Sequence, residues 1–444
     1  MFIDSCASIN KISRASIKKE IDYIINTESN PSDWNKILSI KDKNIFTAIA
    51  VSPEQAIIYN NEIENKLLKL IKKNKIIAIG VIGLDYHNKK ASKNIQKKVF
   101  QRQLVLAKEN NLPVIISCPK SYQDCYEILK KIYKDKVKGV INFNSENKKQ
   151  IKAFIDLGMF VSFSGDIISR RNKKAAKIIP LVPQNKFLIR SLNLKNKNKD
   201  YSKLISDIKK TVEKIVLTRK RVSIEDIARI TSYNAVSLFQ LPVKLKDKYT
   251  YKIRNSLYIN LTNRCTNKCD FCPRLKEPVV KGYYLKLKKE PTAKEVIKEI
   301  DNPKKFDEIV FCGYGEPTIR LKTMKKIAKW IKENGGKTRL DTNGLGSLIA
   351  GYNIAPQLKG LFDTISISLN FHNKNLYLKH CHPIFGEKTW KELLRFIEEA
   401  KEITPKVILT VIEKYKDVDI NKCQKIADKL KVNFRRRTYY EQAK

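Results

Sequence analysis

Ile76-Ile77-Ala78-Ile79-Gly80, followed by the stretch from Asn94 to Asn110 and then by Val114-Ile115-Ile116, decides how the first part of this chain folds. A short, unbroken apolar run suits a strand that is covered on both faces. In the middle stretch Ile95, Val99, Phe100, Leu104 and Ala107 recur near the spacing of a helix with one apolar face. Asn110-Asn111-Leu112-Pro113 then stops that helix, since proline has no N–H with which to continue it. Strand, helix, strand in this order is a parallel α/β unit, and its repetition predicts a parallel sheet or barrel.

Working outward, Gly139–Asn142, Phe160–Phe163 and Phe187–Ile189 are further strands, and two short helices over about 224–230 and 232–241 close the segment. That pair has the outline of a helix-turn-helix DNA reader. Its reading face would carry Asn234, Ser237 and Gln240 but little charge, so a terminal cap on the barrel is expected instead. Leu241-Pro242 and the polar run from Lys244 to Thr250 break the rhythm, which divides the chain into a domain at 1–242, a linker at 243–254 and a second domain at 255–444. Strands are expected there at 257–261, 308–312, 338–341, 364–369, 407–411 and 432–436. Helices are expected at 294–300, 323–334 and 390–403, the first opened by a capping box of Thr292 and Glu295. Six parallel units in this length make an open or incomplete barrel.

The length, 444 residues, exceeds the roughly 250–300 at which single cores stop growing, in keeping with two domains. A hydrophobic fraction of 42% and a charged fraction of 30% exclude disordered and collagen-like chains. The start, Met1 to Ser5, has no basic flank before an apolar stretch, and no run of about 18 apolar residues occurs, so a cytoplasmic protein without a membrane span is expected. The formal net charge is +44, divided as +26 over residues 1–250 and +18 over the rest. Lysine-rich composition explains so even a spread, and a dedicated nucleic-acid face is the alternative.

Nine cysteines in such a chain are not expected to form disulfides, so their spacing is informative. Cys265, Cys269 and Cys272, within Arg264-Cys265-Thr266-Asn267-Lys268-Cys269-Asp270-Phe271-Cys272-Pro273, follow directly on a predicted strand. They sit on a loop at its C-terminal end, where barrel chemistry is placed. One tight loop can aim three thiolates at one face of an iron–sulfur cluster, leaving a fourth iron without a protein ligand. Zinc is the alternative. It wants a fourth ligand, and the next candidates, Cys312 and His380-Cys381-His382, are expected to belong to other units. Cys312, Cys381 and Cys423 are read as ordinary thiols, too scattered for an auxiliary cluster.

Residues 255 to 444 resemble the radical S-adenosylmethionine (SAM) superfamily, whose signature is three cysteines at this spacing with an aromatic residue, here Phe271, before the last. A glycine-rich turn with Glu-Pro after the second strand is matched by Cys312-Gly313-Tyr314-Gly315-Glu316-Pro317, where Tyr314 stands in place of a glycine found in many members. Asp341-Thr342-Asn343-Gly344 and Ser366-Ile367-Ser368 occupy the ends of the third and fourth strands. The resemblance implies a partial (β/α)6 barrel whose Cys265, Cys269 and Cys272 hold a 4Fe-4S cluster and whose open iron takes SAM. It further implies that Phe271 lies near the adenine, that Gly313, Tyr314, Gly315 and Glu316 offer groups to the methionine end, and that Asn343 and Ser368 help bind the cofactor. An electron from a flavodoxin- or ferredoxin-like donor would then cleave SAM to a 5′-deoxyadenosyl radical that attacks a substrate. The catalytic residues and the substrate are left open, RNA among the possibilities.

Residues 1–242 resemble the TatD-type metal-dependent hydrolases and deoxyribonucleases, which implies a TIM-like (β/α)8 barrel of amidohydrolase type. Met1-Phe2-Ile3-Asp4, Gly80 to His87, Gln96 to Leu104, Leu112-Pro113-Val114 and Val222 to Phe239 carry the likeness. Where that family has metal-binding histidines this chain has Cys6, Ser8, Ser117 and Asn142, its bridging glutamate is Val81, and its catalytic aspartate is Leu192. A hydrolytic metal needs several carboxylate or imidazole ligands to lower the pKa of its water, so this barrel is expected to be inactive. His87 is read as a polar loop residue, and Cys6 with Cys118 as inert buried thiols rather than a new site. Joined, the two parts resemble the TatD-family-associated radical SAM proteins. The expected function is radical SAM chemistry, with a metal-dependent hydrolase or deoxyribonuclease and a nucleic-acid-binding module as alternatives.

Overall fold

In the computed structural model, residues 2–9, 21–73, 75–87, 90–142, 147–168, 175–191, 201–219, 222–243, 249–272, 274 and 278–438 are described. Two compact units divide at Lys244 and Leu245. The first has eight parallel strands in sequential order: β1 Ile3–Ala7, β2 Tyr23–Glu28, β3 Ile45–Ile49, β4 Ala78–Gly83, β5 Val114–Ser117, β6 Gly139–Asn142, β7 Phe160–Phe163 and β8 Phe187–Ile189. Helices α1 Trp34–Leu38, α2 Asn61–Lys72, α3 Lys93–Glu109, α4 Tyr122–Tyr133, α5 Lys148–Asp156 and α6 Tyr201–Arg219 alternate with them. No ladder joins β8 to β1, yet their ends meet. The Ser5 hydroxyl donates to the Ile189 carbonyl at 2.8 Å, and the Ser191 N–H donates to Asp4 Oδ1 at 3.0 Å. The unit is therefore a nearly closed TIM-like barrel, as expected.

Strand alternation divides the core of this barrel. Ile24, Ile49, Ile79, Ile116, Ile141 and Val161 face outward to the helices. Ile25, Ala48, Ala78, Ile115, Val140 and Leu188 form a separate inner cluster with Ala235, Leu238 and Phe239. Those last three belong to α7, Ile224–Phe239, which plugs the barrel bottom. The expected cap is thus present, but as one continuous helix rather than two. Ser223 and Asp226 form its capping box, and the Thr231 hydroxyl, at the expected break, donates back to the Ile227 carbonyl, which the helix geometry accommodates. A helix-turn-helix reader has no turn to use here.

In the second unit β10 Ser256–Ile259, β13 Ile309–Phe311, β14 Thr338–Thr342, β15 Thr364–Ser368, β16 Val407–Glu413 and β17 Asn433–Thr438 form six parallel strands in order. An antiparallel strand, β9 Thr250–Ile253, adds to the β10 edge, and Val279–Val280 and Tyr283–Tyr284 form the small ribbon β11–β12. β9 falls within the stretch read as a linker. Its Tyr251 ring is buried and stacks on Tyr258 at 5.2 Å, so burial of aromatic surface turns a polar-looking segment into a strand. Helices α8 Ala293–Ile300, α9 Leu321–Glu333, α10 Gly346–Ala350, α11 Lys374–Cys381, α12 Lys388–Ile403 and α13 Ile420–Lys429 cover one face. The Thr292–Glu295 capping box forms as expected. The architecture is a partial barrel, open at both edges.

Candidate cluster and cofactor site

The loop after β10 carries the three cysteines, and its course is held by its neighbours. The Asn260 side chain donates to the Leu285 carbonyl and accepts from the Tyr314 N–H at 2.9 Å. Asn263 is fastened to Leu287 through both its carbonyl and amide groups. Arg264 forks onto Glu290, both contacts at 2.9 Å. Within the loop the Cys272 N–H donates to the Cys269 carbonyl, and the Arg274 guanidinium donates to the Asn267 carbonyl at 2.8 Å.

Glu316 is the point at which three loops meet. It is buried, with 4% of its surface exposed, and it accepts from Thr318 N–H, the Thr318 hydroxyl, the Thr342 hydroxyl and Asn343 N–H. Its own N–H donates to the Arg264 carbonyl at 2.8 Å. Burial pushes this carboxyl above its usual range, and the four donors pull against that shift. Asn343 completes the join, its Nδ2 donating to the Thr266 hydroxyl at 3.1 Å, one residue beyond Cys265. Gly313 and Gly315 serve the same closeness. A Cβ on Gly313 would lie 2.2 Å from Asn260 Oδ1, and one on Gly315 would lie 2.1 Å from the Arg264 carbonyl oxygen. Both glycines are required by the neighbouring chain, beyond any closeness to a ligand.

One expectation about this loop is overturned. The His380-Cys381-His382 group does not stand apart from the cysteines, because α11 ends against them. Lys268 N–H donates to the Cys381 carbonyl and Asp270 N–H to the His380 carbonyl, both at 3.0 Å. The Cys381 thiol hydrogen-bonds Cys269 and holds the Cys269 thiol below its ordinary range. Burial pushes the thiols of Cys265, to about 12, and of Cys272 upward. His380, 1% exposed, bridges Asp270 at 3.0 Å and Asp417 at 2.8 Å. Sequence separation of more than a hundred residues hides this contact, and only the curl of the sheet creates it. Even so, among the described residues no three His, Cys, Asp or Glu side chains converge as ligands of one metal ion would.

The remaining expected residues lie apart. Phe271 packs in the apolar core against Phe371, with ring centroids 6.1 Å apart, and edge-on to Tyr415 at 5.1 Å. The Tyr314 hydroxyl donates to the Arg274 carbonyl at 2.9 Å. Ser368, at the end of β15, accepts from Arg437 of β17 at 3.5 Å. Asn260, Thr266, Thr342, Cys381, Arg435 and Arg437 are neighbours of these groups that sequence reasoning misses. For Arg435 and Arg437 a signal existed, since residues two apart on a strand share a face.

At the C-terminal mouth of the first barrel the substituted positions fill one another's needs. Cys6 Sγ lies 3.7 Å from the Thr27 hydroxyl and accepts from Asn142 Nδ2 at 4.0 Å, while the Ser162 hydroxyl donates to Asn142 Oδ1 at 2.6 Å. Burial raises the Cys6 thiol and the Asp4 carboxyl above their ordinary values. Val81 exchanges two backbone contacts with the Ser29 hydroxyl, and Ser8 and His87 are exposed. Leu192 lies outside the described residues. Cys118 pairs with Cys125 rather than with Cys6. The retained family strings are structural. Gln103 spans the N–H and carbonyl of Val51 at 2.8 and 2.9 Å, and Gln96 holds the N–H and carbonyl of Asp85. The positive charge is spread over both parts of the sequence, and Lys322, Lys325, Lys326, Lys329 and Lys359 line a depression in the second unit.

A parallel eight-stranded barrel followed by a six-stranded partial barrel with a three-cysteine loop defines a two-part α/β protein. The TatD related DNase family model matches residues 5–240 and the radical SAM superfamily model residues 259–425, so the chain belongs to the TatD related DNase family and carries a fused radical SAM domain. An uncharacterized metal-dependent hydrolase, YabD, of Bacillus subtilis (strain 168) is 30% identical over 206 residues, covering 44% of this chain and 78% of the relative. A 3'-5' ssDNA/RNA exonuclease TatD of Rahnella sp. (strain Y9602) is 26% identical over 210 residues, 45% of this chain and 78% of the relative. The solved TatD homolog YJJV from Escherichia coli k12 is 20% identical, with a TM-score of 0.47 over 54% of this chain and 98% of that one. The family of the second unit implies a 4Fe-4S cluster and SAM. No helix among the described residues is long and apolar enough to cross a membrane.

Proposed function

We propose that the second unit, taken as residues 255–444 after a connection at 243–254, is a one-cluster radical SAM enzyme domain, with Cys265, Cys269 and Cys272 as the cluster ligands. The observation that carries the reading is the joining of the cysteine loop to the turns after β13 and β14 through Glu316 and Asn343. The donor set fits such a group. In a cluster each thiolate binds its own iron, so three cysteines need not converge on one point, whereas a tetrahedral zinc site requires convergence. When bound and reduced by a flavodoxin- or ferredoxin-like partner, the cluster supplies the electron that cleaves SAM to methionine and a 5′-deoxyadenosyl radical.

The chain's own part is to position and enclose. Glu316 uses its side chain to hold its neighbouring loops and Asn260 holds the Tyr314 N–H, which leaves the backbone carbonyls of Gly313, Tyr314 and Gly315 to meet the methionine end of SAM. Asn343 and Ser368 stand at strand ends on the same edge, and Phe271 with Phe371 and Tyr415 keeps water from the back of the cysteine loop. The TatD-like barrel, in this reading, is a scaffold or recruiting surface without hydrolytic activity, because Cys6, Ser8, Val81, Ser117 and Asn142 offer thiol, hydroxyl, alkyl and amide groups but no imidazole or carboxylate.

Anaerobic reconstitution followed by iron and sulfide assay and by chromatography of SAM products tests this. The expected result is a brown protein with about four irons per chain, formation of 5′-deoxyadenosine under reductant, and loss of both in Cys269→Ala. Stoichiometric zinc without iron, or SAM binding with no cleavage under strong reductant, overturns it.

A further inference from the structure

The face of the second sheet turned away from its helices is unusually cationic. Leu340, Ile365, Ile367, Leu409 and Val411 point into the helix-covered core, so the alternate residues Arg339, Asp341, Ser366, Ser368, Thr410, Arg435 and Arg437 share the opposite face. Register sets Asp341 beside Ser366, Ser368 beside Thr410, and Thr410 beside Arg435. Arg339 is balanced there, paired with Glu308 and with Asp341 at 2.9 Å. Arg435 and Arg437 are not. Their guanidiniums donate to hydroxyls, Arg435 to Ser366 at 3.0 Å and Arg437 to Ser368 at 3.5 Å, and among the described residues the buried Nε of each has no hydrogen-bond partner.

Two half-buried guanidiniums two residues apart on one strand repel each other, and a buried donor without an acceptor is costly. Burial pushes the Arg435 guanidinium down, with Arg339 and Arg437 acting in the same direction and Asp341 opposing. An anion placed between them would satisfy both. A carboxylate matches one guanidinium, whereas a phosphate monoester carries about two negative charges and three acceptor oxygens and can engage two planar forks. The site lies at the working edge of the sheet. Ser368 leads through Leu369 to Asn370, whose Nδ2 donates to Cys381 Sγ at 3.9 Å, and Cys381 touches Cys269.

We propose that Arg435 and Arg437 form a phosphate-binding subsite on the open face of the second sheet, and hence that the substrate of the radical reaction carries a phosphate group. This rests on the radical SAM reading of the same unit. Hydrogen exchange of the full reconstituted chain, read by mass spectrometry on segments covering 364–368 and 433–438, tests it with inorganic phosphate against chloride at matched ionic strength, and separately with SAM. Phosphate should slow exchange in both segments, with no change in β1–β8. The concentration required should rise about tenfold or more in Arg435→Gln and Arg437→Gln. Arg435→Lys and Arg437→Lys, which keep the charge but lose the fork, should weaken binding less, and they serve if the glutamine variants unfold. Iron-free Cys269→Ala protein should keep the phosphate response, so that failure of the cluster reading and failure of the subsite are told apart. Equal protection by chloride, a response indifferent to both arginines, or protection by SAM alone with none from phosphate overturns the proposal, the last outcome assigning the pair to the cofactor's carboxylate.

Discussion

Removing the Glu316 carboxylate should release the three loops it holds. In Glu316→Ala four donors lose their acceptor. Two are hydroxyls that can rotate elsewhere, while the N–H groups of Thr318 and Asn343 are fixed by the backbone. Each buried donor left unpaired costs about 1–3 kcal/mol, or about 2–6 kcal/mol for the pair. The burial cost of the carboxyl disappears with it, and water can enter the vacated polar space, so the lower half of that range, about 3 kcal/mol, is expected. For a unit of this size that lowers the unfolding midpoint by about 6–12 °C. Glu316→Gln should be milder. If its carbonyl takes the place of Oε1, which serves both Thr318 groups and Thr342, the loss is confined to Asn343, bound by Oε2. Thermal unfolding of the full chain, with hydrogen exchange resolved at Thr318 and Asn343, checks both variants. A Glu316→Ala protein within about 0.5 kcal/mol of wild type, with those two amides still protected, would refute the argument that this carboxylate joins the loops.

Three further outcomes are expected. Gly315→Ala should cut the iron retained after reconstitution by at least half, measured by iron assay, because its Cβ would meet the backbone carbonyls of Arg264 and Thr262 at 2.1 and 2.7 Å and push the cysteine loop away. Gln103→Leu should destabilise the first barrel by about 2–4 kcal/mol, read by urea unfolding, since it strands the buried N–H and carbonyl of Val51. Purified protein should show no Mg²⁺- or Mn²⁺-dependent cleavage of single- or double-stranded DNA, and Val81→Glu should restore none, because one carboxylate does not assemble a site that needs several ligands. DNA hydrolysis lost on chelation and unaffected by Cys265→Ala would instead assign a nuclease to the first barrel.

By itself the sequence determined what depends on neighbours along the chain. The run Ile76–Gly80 and the spacing of Val99, Leu104 and Ala107 specify strand and helix because periodicity acts within a few residues. The cysteine loop is legible for the same reason, as is the capping box at Thr292. Only the tertiary structure decided what depends on residues far apart. Strand β9 exists because Tyr251 finds Tyr258, and α7 runs unbroken because the barrel bottom buries Ala235, Leu238 and Phe239 along one side. The placing of Cys381 against Cys269 likewise follows from α11 folding back under the loop. Arg435 and Arg437 become a pair bonded to serine hydroxyls only when the register of β15, β16 and β17 sets Arg435 beside Thr410 and brings Ser366 and Ser368 within reach across β16. The charge on a strand residue is written in the sequence, but which groups surround it is fixed by strand order and by the closeness of chains, and neither has a local signature.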